Sequence, residues 1–412
     1  MQRDHDLFRG VGPVLDRRRA LKVFAGVGAA GALSGALSAC TSPSGTTRST
    51  STLRIGLVLP QSGPLQEVGF QMHNGFYLYL SLNGNQIAGM DTHVTVIDEG
   101  ATADSGVRAV KAALKSDAYD VLVGVANSQV MTEIPDDVTS ARTPLIGSNG
   151  SPADLRASPY LWRTSFVAGE ASKALANYLL QIPAHLVQRD ELSRPTSVTV
   201  YNDGTPDAVS ESTNFVSTLA GAVPVHQIQA SAGAPVAPAV FNQIRSFGSD
   251  LVYAATSVTN GQAFIDAYRK AGISAALCGP GALTERGSQS GGSTGVFTAM
   301  NYAPDLNNAA NATFASAYYS YSQTNDKIPT AYAMTTYDAA AVLAVTISSL
   351  SGSIDSQSIN NGLTRTQSID SPRGRWQFNQ GRTPLQQWYL RQVRADGPAL
   401  DNRVLADLEA LP

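Results

Sequence analysis

The chain of 412 residues contains little cysteine and little histidine, with two cysteines and five histidines in all. The histidines are widely dispersed, and no pair of His, Cys or carboxylate residues stands at metal-ligand spacing. The sequence therefore predicts no metal site and no cofactor. A formal net charge of -3, with Lys and Arg scattered through the body, also argues against a nucleic-acid partner.

Two motifs that would indicate an enzyme lack the context that they need. The G-x-G-x-x-G pattern at Gly26–Gly31 lies inside an apolar N-terminal segment, with no strand before it. The G-x-S-x-G pattern at Gly291–Gly295 needs a later histidine, yet the last one is His226. We predict that the chain is not an enzyme. The alternative among enzymes is an extracellular hydrolase.

The N-terminus has the layout of an export signal. The basic run Arg17–Arg19 precedes an apolar, small-residue segment from Val23 to Ala39, which ends at Cys40. Residues Asp16–Lys22 resemble a twin-arginine signal, although the general secretion route stays open. The apolar segment is too rich in Gly and Ala, and too short, for a membrane span.

Residues Leu37–Cys40 look like a bacterial lipobox, in which the cysteine is lipidated and becomes the first residue. We therefore predict an export signal at 1–39, a flexible Ser/Thr/Gly/Pro tether at 40–52, and a lipid anchor on the extracytoplasmic face of the cell membrane. Only Cys278 then remains as a second cysteine, so no disulfide forms within the mature chain.

The body alternates short β-branched runs with amphipathic segments, which predicts repeated βα units around parallel sheets. The predicted strands include Leu53–Leu59, His93–Asp98, Val121–Gly124, Pro144–Gly147, Ser197–Tyr201, Val223–Gln229 and Leu251–Ala254. We predict an α/β fold of two doubly wound lobes joined by a three-strand hinge. Lobe 1 comprises 53–165 and 302–360, and lobe 2 comprises 166–301 and 361–412.

Five motifs occur in the order and spacing of a known family. They are Ile55–Leu65, Val121–Gly124 followed by Ser128, Pro144–Ser151, Ser158–Thr164, and Pro329–Tyr332 with Tyr337–Ala339. Together they resemble the type I periplasmic binding proteins of branched-chain and related amino-acid importers. The resemblance spans most of the mature chain and implies a receptor that captures a small polar solute.

The resemblance also implies which residues bind the solute. The family holds the α-carboxylate and α-amino group of its ligand at the positions of Ser128, Asn149 and Ser151. These residues follow strands whose carboxyl ends form a crevice in open α/β sheets. Further predicted ligand contacts are Asn127, Gly150, Thr205 and Ser257.

Three positions depart from the family pattern. Val68 replaces an aromatic residue, Thr205 and Pro206 stand where a tyrosine is usual, and Gly281 stands where an acid pairs with the ammonium group. Because an unpaired buried ammonium is costly, an amino acid would need another partner. The candidates are Asp203, Asp207 and Glu285.

The implied mechanism is closure of the lobes around the solute. The chain is predicted to cross between lobes near Trp162–Phe166, Phe297–Tyr302 and Gly374–Phe378. The expected partner is the permease of an ABC transporter, contacted through exposed acids on both lobes, and the protein is expected to be a monomer. A ligand sensor of the same fold is the alternative function.

Overall fold

The computed structural model describes residues 52–151, 155, 157–184, 192–285, 290–322, 327–396 and 399–408. The predicted export signal, Cys40 and almost all of the tether lie outside these residues. The described residues contain one six-stranded and one seven-stranded sheet, each with helices packed against it. This α/β arrangement of two lobes confirms the fold predicted from the sequence.

The first sheet forms from the N-terminal part of the chain, with strand order β2-β3-β1-β4-β5-β6. All its pairings are parallel except that of the edge strand β2 with β3. The elements are β1 (Leu53–Leu59), α1 (Gln66–Leu82), β2 (Gln86–Ile87), β3 (Met90–Asp98), α2 (Ala103–Lys115), β4 (Val121–Gly124), α3 (Ser128–Glu133), α4 (Pro135–Ala141), β5 (Leu145–Gly147) and β6 (Leu161–Arg163).

The second sheet follows, with strand order β15-β14-β11-β10-β9-β7-β8. Its elements begin with α5 (Glu170–Gln181), β7 (Val198–Asn202), α6 (Pro206–Leu219), β8 (Val225–Gln229), α7 (Pro238–Phe247), β9 (Leu251–Ala255), α8 (Val258–Lys270), β10 (Ala276–Pro280) and β11 (Phe297–Met300). Central strands such as β4 and β9 are apolar runs in which every residue is buried, as expected for parallel strands covered on both faces.

The remaining elements divide between the lobes. They are α9 (Ala309–Tyr321), α10 (Ala331–Ser348), α11 (Ser356–Leu363), β12 (Gln377–Phe378), β13 (Pro384–Leu385), β14 (Trp388–Asp396) and β15 (Ala399–Leu408). Helix α10 packs along α1 in the first lobe. Strands β14 and β15 form an antiparallel hairpin that extends the second sheet from β11.

The segment between α11 and β13 contacts the first lobe, whereas the sequence assigned all of 361–412 to the second. The Phe378 ring lies 4.9 Å from that of Trp162, and the backbone N–H of Arg163 donates to the carbonyl of Arg382 at 3.1 Å. Arg373 also forms a buried ion pair of 2.9 Å with Asp338 of α10. These contacts move the third crossing between lobes from Gly374–Phe378 to residues 384–388.

Two short helices, α3 and α4, follow β4. Pro135 has no backbone N–H to continue the first helix, and it begins the second one instead. α3 therefore ends at Glu133; it begins at Ser128, where the Asn127 side chain caps it by accepting from the Gln129 N–H.

One glutamine joins the three crossings between the lobes. The side-chain carbonyl of Gln386 accepts from the Asn301 amide at 2.9 Å, and its amide donates to the carbonyl of Ser165 at 3.1 Å. Gln386 precedes β14, Asn301 follows β11, and Ser165 follows β6. The crossings therefore form one hydrogen-bonded unit beside the interlobe cleft.

Candidate ligand-binding site

A cavity of about 700 Å³ lies between the two lobes. Its walls are loops that leave the carboxyl ends of strands in both sheets, the usual place for ligands in open α/β sheets. The polar and charged side chains in its lining are Thr102, Asn127, Ser128, Gln129, Asn149, Thr205, Asp207, Glu211, Thr256, Ser257, Thr259, Asn260 and Tyr332. The volume suits a small organic molecule.

The loop after β4 turns sharply into the cavity. Gly124 has φ +113°, and a Cβ there would lie 2.1 Å from the carbonyl oxygen of Val58, so the turn requires glycine. The next backbone N–H groups, of Ala126 and Asn127, donate to the carboxylate of Glu99 at 2.8 and 2.9 Å. This anchoring directs Asn127 and Ser128, two of the predicted ligand contacts, into the lining.

The loop after β5 brings two further predicted residues to the cavity. The Asn149 amide donates to the carbonyl of Ala126, so the two loops of the first lobe are joined. Gly150 packs against the ring of Phe166, where a Cβ would come within 2.5 Å of a ring carbon. Both Asn149 and Gly150 line the cavity.

Ser151, the third residue implied by the resemblance, is not in the cavity lining. It is fully buried, and its carbonyl accepts from the Arg163 guanidinium at 3.1 Å and from the Ala168 N–H at 3.2 Å. The backbone turns back toward the hinge directly after Gly150. The prediction that Ser151 contacts the solute therefore does not fit its position, and Ser151 supports the first crossing instead.

In the second lobe, Thr205 and Ser257 both line the cavity and both bind Asp203. The Thr205 hydroxyl donates to one carboxylate oxygen of Asp203 at 2.7 Å, and the Ser257 hydroxyl donates to the other at 2.7 Å. The Asn260 amide adds a third side-chain donor at 3.0 Å. Asp203 therefore organises the cavity wall, and its carboxylate is already occupied by these donors.

Asp207 is the acid among the three candidates that lines the cavity. It lies in the first turn of α6, and its side chain contacts Ser128 of the opposite lobe. Burial raises the pKa of Asp207 to about 7, against the lowering effect of the Ser128 contact. Its Oδ1 atom is buried and accepts no hydrogen bond from any described residue.

Glu285, the remaining candidate, is committed elsewhere. Its carboxylate pairs with Arg391 at 2.8 Å and accepts from the N–H of Ala331 at 2.6 Å. Both side chains of the pair are almost completely buried, so Glu285 joins the start of α10 to β14. It does not line the main cavity.

The lining residues that sequence reasoning missed include Glu211, Phe166 and Tyr332. Glu211 is 3% exposed and accepts from the Ser172 hydroxyl, and burial raises its pKa to about 7. Phe166 lies in the first crossing. Tyr332 lies within one of the family-like motifs, which could have pointed to it.

The described lining carries two acids, Asp207 and Glu211, and no Lys, Arg or His side chain. Within the described residues, no group of three or more His, Cys, Asp or Glu side chains could hold a metal ion. Nor does any described helix combine the length and apolar content that a bilayer span requires.

Two α/β lobes with a solute-sized cavity between the carboxyl ends of their strands define the class of two-lobed binding proteins. The sequence profile of the periplasmic binding protein family matches residues 52–398, and the chain belongs to that family. This assignment confirms the predicted family, and with it a role in binding rather than catalysis. Among curated protein sequences, none matches the chain.

Solved structures share the fold at low sequence identity. An ABC-transporter solute-binding protein from R. palustris, in complex with benzoate, has a TM-score of 0.76 and 23% identity, with 88% of this chain and 98% of that one covered. A leucine-binding protein from Thermotoga maritima has a TM-score of 0.76 and 16% identity, covering 86% and 98%. A branched-chain amino-acid binding protein from Streptococcus pneumoniae, in complex with isoleucine, has a TM-score of 0.72 and 17% identity. The match covers 86% of this chain and 99% of that one.

Proposed function

We propose that the chain is the extracytoplasmic substrate-binding lipoprotein of an ABC importer. It captures a small polar solute, an amino acid or a related amide or carboxylate, and delivers it to the permease. The observation that carries this proposal is the cavity of about 700 Å³ whose polar lining comes from both lobes. The structural relatives named above, which bind benzoate, leucine or isoleucine, support the same class of ligand.

The proposed mechanism is closure of the two lobes around the solute. Asn127, Ser128, Asn149 and Gly150 form the wall from the first lobe, and Thr205 and Ser257 form the wall from the second. Contact between Ser128 and Asp207 brings the two walls together at one point. A solute stabilises the closed arrangement only through contacts that it makes with both walls.

The direct test is a thermal-shift screen of the purified mature protein against amino acids, amides, aromatic carboxylates and sugars. A solute at about 100 times its dissociation constant should stabilise the protein by about 2.7 kcal/mol. Hits would then be measured by titration calorimetry. A protein that no solute of these classes stabilises would contradict the proposal.

Variants connect such binding to the cavity. Ser128→Ala should weaken binding of the best solute by about 1.5–3 kcal/mol if the hydroxyl meets a charged group. The matched control is Ser217→Ala, an exposed serine of α6 outside the lining. Equal affinities of the two variants would remove Ser128 from the site.

A further inference from the structure

A second, smaller cavity adjoins the main one. It has a volume of about 20 Å³, and it shares Pro64, Val258 and Tyr332 with the lining of the main cavity. The other residues that line this small cavity are Glu67, Val68, Gln71, Glu285 and Thr330. A volume of this size holds about one group as large as a water molecule. The small cavity can therefore take only the end of a longer solute.

A small side chain stands in the wall of the small cavity. Val68 lies in the first turn of α1 and is buried, and it occupies the position where the family pattern has an aromatic residue. A ring at this position would fill space that a valine leaves open, because protein interiors are closely packed. The small cavity is therefore a feature of this chain that the family resemblance does not imply.

Hydrogen bonds fix the polar groups of the small cavity in place. The side-chain carbonyl of Gln71 accepts from the hydroxyls of Tyr318 at 2.7 Å and Thr330 at 3.2 Å. The Glu285 carboxylate is held by Arg391 at 2.8 Å. Because all five of these side chains are buried, the wall that they form is held in place before any solute binds.

The charges around the small cavity favour a hydrogen-bond donor. Its described lining has two acids, Glu67 and Glu285, and no Lys, Arg or His side chain. Arg391 balances the charge of Glu285, so Glu67 supplies the surplus negative charge. Burial raises the pKa of Tyr332, and Glu285, Asp207 and Glu67 raise it further, so its phenol lies near acids of both cavities. A donor group is attracted to this environment, and an anion is repelled.

We propose that the small cavity is a second subsite, which takes a terminal nitrogen group of the solute that donates hydrogen bonds, an amine or a primary amide. This inference rests on the proposed function and adds the far end of the substrate to it. The rest of the solute lies in the main cavity, and its chain passes Tyr332 to reach Glu67 and Thr330. A solute that ends in a hydrocarbon group or a carboxylate finds no matching partner there.

The test is titration calorimetry of the mature protein with probes that differ only at the far end. Lysine is compared with norleucine, glutamine with glutamate, and para-aminomethylbenzoate with para-methylbenzoate. For the pair that binds most tightly, we expect the member with the terminal nitrogen to bind about tenfold more tightly than its partner. The third pair has no α-amino group, so it tests the far end separately from that group.

Two variants connect this preference to the small cavity. Glu67→Gln removes the surplus negative charge, and Val68→Phe fills the space, so each should abolish the preference for the terminal nitrogen. The control is Asp136→Asn, which removes an exposed acid outside both linings and should keep the preference. Thermal melting checks that Val68→Phe is folded, since Val68 is buried. If it is not folded, Glu67→Gln decides alone.

The outcomes separate the two proposals. If the two members of the tightest pair bind equally, so that water alone occupies the small cavity, the inference is overturned and the proposed function stands. The same conclusion follows if either variant, once shown to be folded, keeps the preference. If none of the probes binds the wild type, the proposed function fails for these solute classes, and the inference fails with it.

Discussion

The carboxylate of Asp203 accepts two hydrogen bonds from Ser257, one from its backbone N–H and one from its hydroxyl, both at 2.7 Å. Asp203 follows β7, and Ser257 follows β9. One buried carboxylate therefore joins two neighbouring loops of the cavity wall. The shape of the site in the second lobe depends on a residue that is itself outside the lining.

Replacing Asp203 should damage both stability and binding. In Asp203→Ala the donors of Ser257 and Thr205 lose their acceptor, which should lower the free energy of unfolding by about 2–3 kcal/mol. The control is Asp250→Ala, because the exposed Asp250 also accepts backbone and side-chain hydrogen bonds, from Thr196 and Ser197 at the other end of the sheet. Urea unfolding should show the larger loss for Asp203→Ala, because its donors are buried, and solute affinity should fall only for that variant. Equal affinities would contradict this.

The turn after β4 should not tolerate a side chain. Gly124→Ala would bring a Cβ to 2.1 Å from the Val58 carbonyl at φ +113°. Gly221→Ala is the matched control, since Gly221 has φ +78° but no atom within 4 Å of the position that a Cβ would take. We expect Gly124→Ala to be the more destabilising by about 1–3 kcal/mol in urea unfolding, and to weaken solute binding. Equal losses would show that the close contact is unimportant.

Stability of the ligand-free protein should depend on pH through its buried acids. Burial raises the pKa of Glu211 to about 7, so the folded state holds a proton that the unfolded state releases. The stability that this bound proton contributes to the folded state is fully present below the unfolded pKa of about 4.5. It is lost as the pH rises through about 7. The melting temperature should therefore fall over that range, and less steeply in Glu211→Gln. If the melting temperatures of the wild type and Glu211→Gln change identically with pH, the raised pKa of Glu211 is contradicted.

The lipid anchor can be tested with the two cysteines of the chain. If Cys40 carries the lipid, Cys40→Ser should move the exported protein from the detergent phase to the aqueous phase after Triton partitioning. Cys278→Ser is the control, because Cys278 is buried in the second lobe and should not affect the anchor. Detergent-phase partitioning of Cys40→Ser would contradict the lipobox prediction.

Some elements follow directly from the sequence. The predicted bounds of β1 and β4 equal those observed, Leu53–Leu59 and Val121–Gly124. Both are short apolar runs bounded by polar or turn residues, and burial of such runs in a parallel sheet needs no knowledge of distant segments. The loop after β4 was likewise predictable as a cavity wall.

Other features depend on contacts between distant residues. Residues 361–383 were assigned to the second lobe, but the pairing of Arg373 with Asp338 holds them on the first. Ser151 matches the family motif, yet one residue after Gly150 the chain has already turned to meet Arg163. The residues next to each position in the sequence do not predict either contact.

The sequence alone determined the α/β class, the family and most of the loops that line the cavity, because these follow from the spacing of apolar runs and from motifs at strand ends. Only the tertiary structure decided which of the candidate acids lines the cavity. The sequence does not distinguish among the three candidate acids Asp203, Asp207 and Glu285. Folding supplies hydrogen-bond donors to Asp203 and an arginine to Glu285, and places Asp207 in the cavity lining.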